Sequence, residues 1–279
     1  VTNLIGISGK LQSGKDTVAK IIQWLLLNQD KGTEIPFDKF DLYKEAATWK
    51  NVKFADKLKD MVCLLLGCTR EQLEDPKFKE KELGEEWWYW KLKVPNYNLD
   101  RNEKITLNMM FNTETEAWEY NDKILSYNRE VCETVLIKLT PRLLLQLIGT
   151  ECGRNIIHPN IWINATFADY KPQHFRTVKC QGLFVEHLTT MPNWIISDVR
   201  FPNEVKSIKD RGGVLIRIIR PLNDNKIIYN HESETALDHY NDWDYVINND
   251  GTIEDLIEKV KQILITKGLL NETDKDRSF

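Results

Sequence analysis

Gly9-Lys10-Leu11-Gln12-Ser13-Gly14-Lys15-Asp16-Thr17 carries the G-x4-G-K core of a phosphate-binding loop. Its flanks supply the context that so short a pattern needs. Ahead of it, Asn3-Leu4-Ile5-Gly6-Ile7-Ser8 reads as a short buried strand. Behind it, Val18, Ala19, Ile22, Leu25 and Leu26 recur near helical spacing between Lys15 and Asn28. Strand, loop and helix in that order form the entry unit of a parallel α/β sheet. Glycines permit a close approach that side chains would block, so successive N–H groups can point at phosphate oxygens from a helix N-terminus. Lys15 is placed to neutralise the outer phosphates. One position departs from the standard pattern: Asp16 follows the lysine, and the hydroxyl residue Thr17 comes next. The plain alternative is a glycine turn that caps an ordinary helix.

Working outward, Trp194-Ile195-Ile196-Ser197, Val214-Leu215-Ile216-Arg217-Ile218-Ile219 and Tyr245-Val246-Ile247 read as further strands from their β-branched and aromatic runs. The last leads through Asn249-Asp250-Gly251 into a helix capped by Thr252, with Ile253, Leu256, Ile257 and Val260 as its apolar stripe. Strands alternating with helices predict an α/β, P-loop NTPase fold: a mainly parallel sheet flanked by helices. A chain of 279 residues has a length prior of roughly two domains, with one large α/β domain allowed. The expectation is a single domain over 1–279 with an inserted, substrate-side segment at about 84–135. That segment holds the aromatic run Trp87-Trp88-Tyr89-Trp90 and later turns polar, and Asn121 to Leu139 is expected as one of its helices. Residues 271–279 are polar and charged and are expected to fray.

Composition narrows the function. Hydrophobic residues make up 42% and charged residues 29%, which fits neither a disordered chain nor a membrane protein. A net charge of −4 argues against binding duplex nucleic acid through a strong positive field. Cys63, Cys68, Cys132, Cys152 and Cys180 are scattered and never spaced as CxxC, so reduced thiols in cytoplasm are expected instead of disulfides or zinc. No apolar run approaches the roughly 18 residues that span a bilayer, and the first residues lack a basic stretch ahead of a signal core. A cytoplasmic location without membrane attachment is the expectation.

Two further segments carry candidate chemistry. Asp198 follows a hydrophobic strand and so emerges at the carboxyl edge, where ligand crevices of α/β sheets form. Arg200, two residues on, projects to the same side and can bind phosphate in a fork. A surface Asp198–Arg200 pair, with Asn203 capping the next helix, is the bland alternative. In Thr140-Pro141-Arg142-Leu143-Leu144-Leu145-Gln146, Thr140 is an N-cap and Pro141 the first helical residue. Arg142 and Gln146 then share a face that can meet a nucleotide's phosphate and base. A solvated polar face on an otherwise buried helix is the bland alternative.

Together Ser8 to Thr17, Phe54-Ala55-Asp56-Lys57-Leu58-Lys59, Pro141 to Thr150, Asp198-Val199-Arg200, Arg220-Pro221, His231-Glu232-Ser233-Glu234 and Asn249-Asp250-Gly251-Thr252 resemble, in order, the phage-type deoxynucleoside monophosphate kinases. That resemblance implies transfer of the γ-phosphoryl group of ATP, with Mg²⁺, to a deoxynucleoside monophosphate. It implies that Gly9, Ser13, Gly14, Lys15, Asp16, Thr17 and Asn249 bind the donor, with Asn249 near adenine. Lys15, Arg142, Asp198 and Arg200 would be catalytic, and Phe54, Arg142, Gln146, Thr150 and Arg154 would face the acceptor. Asp16, Thr17 and Asp198 would hold the metal through water. Phe54 and the Trp87–Trp90 cluster either stack on the base or pack a core. His231 is not needed as a base, because the acceptor phosphate, with a second pKa of about 6, is already largely dianionic. Glu232 and Glu234 read as ordinary helix-start acids. A homodimer is a further implication of the resemblance. A dephospho-coenzyme A kinase-like enzyme shares the loop and the strand-end acid, and a P-loop switch or assembly NTPase needs no acceptor. No guanine-reading Asn-Lys-x-Asp or Thr-Lys-x-Asp motif is present.

Overall fold

Every residue from Leu4 to Ser8 is buried, a pattern that a strand achieves only when both faces of its sheet are covered. The structure is a computed structural model that describes residues 2–32, 34–98, 103–125, 133–179, 184–221 and 232–272. His231, Cys132, Cys180 and residues 273–279 of the expected tail lie outside the described residues. The chain forms two units, Val1–Lys57 with Ile157–Phe279, and Leu58–Ile156.

In the first unit, strands β1 (Leu4–Gly9), β2 (Trp49–Val52), β8 (Asn193–Val199), β9 (Val214–Ile219) and β10 (Tyr245–Asn248) form one sheet in the order β10-β9-β1-β8-β2. All four pairings are parallel. Alternation along the strands divides the core. Ile5, Ile7, Ile195, Ile216, Ile218 and Ile247 meet Val18, Ile22, Leu256 and Val260 of the helices Lys15–Lys31 and Ile253–Thr266. On the opposite face Leu4, Trp194, Ile196 and Leu215 meet Val205 and Ile208 of the helix Pro202–Lys209, together with Phe54, Ile163 and Phe167. Gly6 allows this second layer to approach: a Cβ there would lie 2.7 Å from Ile208 Cδ1 and 2.8 Å from Leu215 Cδ2. The expected α/β sheet is therefore present. Thr252 caps its helix as expected, its side chain accepting from the Asp255 N–H. An antiparallel pair, β6 (Gln173–Lys179) with β7 (Phe184–Thr190), precedes β8.

The second unit covers residues 84–135 together with the residues on either side of them. Its strands β3 (Tyr89–Asn98), β4 (Glu103–Phe111) and β5 (Glu133–Ile137) form an antiparallel sheet in the order β4-β3-β5. The helix expected over Asn121–Leu139 is corrected: a helix spans Glu114–Leu125, and the β-branched run Thr134-Val135-Leu136-Ile137 pairs as strand. Within the aromatic run, Tyr89 and Trp90 open β3, while Trp88 donates its Nε1–H to the Leu83 carbonyl at 2.9 Å. The helix at Thr140 begins as read, with the Thr140 hydroxyl accepting from the Leu143 N–H at 3.2 Å. After Gln146 it widens into π-helix over Leu147–Ile157.

Candidate functional site

Backbone geometry makes the loop between β1 and its helix. Gly14 sits in the left-handed region at φ 101°, and Gln12 also has a positive φ of 60°. A Cβ on Gly14 would come within 2.5 Å of Asn249 Nδ2. That amide occupies the space for a reason, because it donates to the Ser13 carbonyl at 2.9 Å and braces the loop from the end of β10. At Gly9 an added Cβ would meet the Ile218 carbonyl at 2.7 Å and crowd the Ser13 hydroxyl. The Ser13 Oγ is itself buried and lacks a hydrogen-bond partner among the described residues. Lys15 folds back along the loop, donating to the carbonyls of Gly9 at 2.6 Å and Lys10 at 2.7 Å. Burial, then the Arg200 charge, lower its pKa from 10.5 to about 8, against the opposing pull of Glu234, Asp16 and Asp198.

Acids and arginines from separate strand ends surround this loop. Asp198 accepts from the N–H groups of Phe54 at 2.8 Å and Ala55 at 3.0 Å, tying the end of β8 to the turn after β2. Burial pushes its carboxyl pKa up, while those two amides and the Arg200 charge pull it down. Asp16 pairs with Lys53 at 2.6 Å and accepts from the Ser197 hydroxyl at 3.3 Å. Arg200 pairs through Nη1 with Glu234, whose other oxygen accepts the Leu11 N–H at 3.0 Å. The Arg200 and Phe201 amides both donate to the buried Glu204 carboxylate. From β9, Arg217 donates to the Ser8 hydroxyl at 2.8 Å, and its guanidinium lies 5.3 Å from the Trp243 ring centre. A cavity of about 400 Å³ opens beside the outer limb of the loop, with Lys10, Gln12, Arg217, Arg220 and Trp243 in its wall.

Lys15, Asp16, Asp198, Arg200, Asn249 and the loop residues Gly9, Ser13, Gly14 and Thr17 thus gather at one carboxyl edge of the sheet. Of the two readings of Phe54, stacking on a base or packing a core, the structure has the second. Its ring is 2% exposed and meets Phe167 edge-on at 5.9 Å, so it packs the core, and only its backbone N–H reaches Asp198. Asn249 acts as a brace on the loop, a hydrogen bond that its place in an Asn-Asp-Gly turn did not signal. The helix after Arg200 starts at Pro202, and Asn203 donates to the Pro159 carbonyl and the Asn160 side chain instead of capping it. Glu234, Ser197 and Lys53 complete the set that the sequence did not single out for the site, whereas Arg217 reads in sequence as a candidate further phosphate ligand. Of the first three, Glu234 alone carried a signal, standing within the His231–Glu234 segment.

Arg142, Gln146, Thr150 and Arg154 all belong to the second unit. Arg142 pairs through Nε with Glu80, and its side chain remains 41% exposed. Gln146 closes the α-helical stretch and Thr150 and Arg154 lie in the π-helical one, where i→i+5 hydrogen bonding widens the turn. The spacing of four residues therefore places Arg142, Gln146, Thr150 and Arg154 on successive turns. Gly149 packs tightly there, since a Cβ would stand 2.8 Å from Leu58 Cδ2.

A five-stranded parallel sheet in this order, with a glycine loop and lysine at the first strand's end and an acid and arginine at its neighbour's, is the arrangement of a P-loop nucleotide-binding fold. A family model for deoxynucleotide monophosphate kinases matches residues 3–260. The chain belongs to that family. It is similar to the deoxynucleoside-5'-monophosphate kinase of Escherichia phage T5, 25% identical over 251 residues and 84% of each chain. The deoxynucleotide monophosphate kinase of Enterobacteria phage T4 is 24% identical over 277 residues, 94% of this chain and 98% of that one. A putative deoxynucleotide monophosphate kinase of Acanthamoeba polyphaga mimivirus is 33% identical over 130 residues, 43% of this chain and 59% of the relative. The family selects the nucleotide kinase reading over dephospho-coenzyme A kinase and over a switch or assembly NTPase.

Proposed function

We propose that the chain transfers the γ-phosphoryl group of ATP to a deoxynucleoside monophosphate, giving the diphosphate and ADP. The observation that carries this reading is Lys15: a cation drawn partly out of water and folded back along a glycine loop, within electrostatic reach of Arg200 and Asp198. Its partial burial strengthens the attraction of its charge for phosphate oxygens. The free Ser13 hydroxyl and the loop amides at the helix N-terminus add donors for the same oxygens. The cavity beside the loop falls in the size range of small-ligand sites, about 300–1,000 Å³, and Trp243 offers the donor's base an aromatic wall.

Chemistry on this site is alignment and charge neutralisation, with no covalent step on the protein. Lys15 draws charge from the donor's outer phosphates, and Arg200 neutralises the group in transit. Arg142, with Gln146, Thr150 and Arg154, holds the acceptor's phosphate and base. Hard oxygen donors suit magnesium, and Thr17, Asp16 and Asp198 would hold it through water. When bound, that ion would offset the negative charge of the phosphates. Lys53 would keep the exposed Asp16 carboxylate beside the loop, and the Phe54 and Ala55 amides fix Asp198. The viral relatives support a place in the cytoplasm of an infected cell, and a homodimer is the expected assembly.

The test is ADP formation from Mg²⁺-ATP with dAMP, dCMP, dGMP and dTMP, their ribose counterparts and dephospho-coenzyme A, beside a no-acceptor control. Turnover that depends on a deoxynucleotide supports the proposal. Turnover with dephospho-coenzyme A alone, or equal ATP hydrolysis without acceptor, overturns it.

A further inference from the structure

We infer that Glu234 is a positioning residue for phosphoryl transfer, its carboxylate setting the Arg200 guanidinium and the outer limb of the phosphate loop against each other. The inference rests on reading Gly9–Thr17 as the donor's phosphate site. A carboxylate beside that site repels the ligand, so its presence needs a compensating task. The contacts supply one. One oxygen of Glu234 takes Arg200, and the other takes the Leu11 N–H at 3.0 Å. The residue's own carbonyl accepts from Lys10 Nζ at 2.6 Å, and Asp238 pairs with the same ammonium. The segment 234–238 is thereby fastened to the loop while its acid end holds an arginine from the next strand.

Glu234 does not compete for the anion-facing amides. Leu11 stands on the limb that precedes Ser13, whereas the N–H groups aimed along the helix axis begin at Gly14, the N-cap. The side chain is only 13% exposed, so its charge is felt locally. It also stands among the groups that favour a charged Lys15 against the like charge of Arg200. Two cations can therefore face one phosphate chain in a defined arrangement before the substrate arrives.

Glutamine separates this role from packing. It has the same shape, but one acceptor oxygen and one donor nitrogen replace two acceptors, so either Arg200 or Leu11 meets a donor. In the full chain, Glu234→Gln is expected to lower kcat about 10- to 100-fold, the equivalent of one charge-assisted hydrogen bond. KM for ATP should change less than about threefold, because the loop amides and Lys15 remain. In an Arg200→Ala background the same substitution should lower kcat less than about threefold, since the group it acts through is gone. The assays use whichever deoxynucleoside monophosphate gives the highest wild-type turnover, with melting midpoints taken alongside. Wild-type kcat in folded Glu234→Gln, or an equal loss in both backgrounds, overturns the inference. If Glu234→Gln does not fold, Glu234→Asp, which keeps the charge but shortens the reach, carries the same comparison. Lys15→Ala runs in parallel: wild-type turnover there overturns the phosphate-loop reading itself, whereas loss there with an intact Glu234→Gln overturns only the role of Glu234.

Discussion

Replacing Lys15 with methionine should stabilise the nucleotide-free protein while disabling it. Bringing a lysine pKa from 10.5 to about 8 corresponds to about 3 kcal/mol acting against the charged form at neutral pH. Methionine removes that penalty at similar volume, but it also removes the hydrogen bonds to the Gly9 and Lys10 carbonyls. Each is worth about 1 kcal/mol net where water can take the donor's place. The expected balance is a gain of about 1 kcal/mol at pH 7, or a melting midpoint higher by about 2–4 °C. The pH dependence has a defined sign. Between pH 8 and 10.5 the unfolded chain still holds the Lys15 proton while the native site has released it, so wild-type stability rises with pH relative to the variant. From pH 7 to pH 9.5 that rise is about 2 kcal/mol, enough to reverse the order of the two proteins. Urea unfolding at both pH values measures the gap. Activity moves the other way: kcat/KM of the variant should fall at least about 10²- to 10³-fold at pH 7. Wild-type kcat/KM should itself decline above about pH 8 as the free site loses its charge. A stability gap unchanged between pH 7 and 9.5 would refute the burial of a charged Lys15.

Asp198→Asn should cost about 1–3 kcal/mol in urea unfolding, since a carboxamide offers one acceptor to two converging amide donors, Phe54 and Ala55; an unchanged midpoint would contradict that geometry. Phe54→Leu should lower stability by about 1–2 kcal/mol and leave the acceptor KM within about twofold, because the ring is core. The opposite result, a raised KM with no loss of stability, would return the ring to the base. Arg142→Ala should raise the acceptor KM about tenfold or more with the ATP KM within about twofold. Acceptor kinetics like the wild type's would remove Arg142 from the site.

Local chemistry made much of this molecule legible. Gly9 to Lys15 specifies its own backbone shape, and a buried strand and amphipathic helix beside it specify a parallel sheet. Thr140-Pro141 and Thr252 mark helix starts because caps depend on adjacent residues alone. The helix expected over Asn121–Leu139 failed for the converse reason: the pairing of Thr134–Ile137 with β3 is a contact between distant residues, and it overrode a weak helical pattern. Phe54 reads the same in sequence whether it stacks on a base or on Phe167. Glu234 and Asn249 gain their roles from where the sheet delivers them, so their neighbours in sequence mark a turn or a helix start and nothing more.

The phosphate loop is held in shape by residues far from it in sequence. Arg217 reaches Ser8, Glu234 reaches Leu11 and Asn249 reaches Ser13 across 209, 223 and 236 residues respectively. Closing contacts of such separation is slow, and β9 and β10 must join the sheet before they can form. During synthesis the motif therefore precedes its braces, and the loop stays untethered until β9 and β10 have joined the sheet. Fragments that stop before Asn249 would keep the motif while lacking the amide that braces the Ser13 carbonyl.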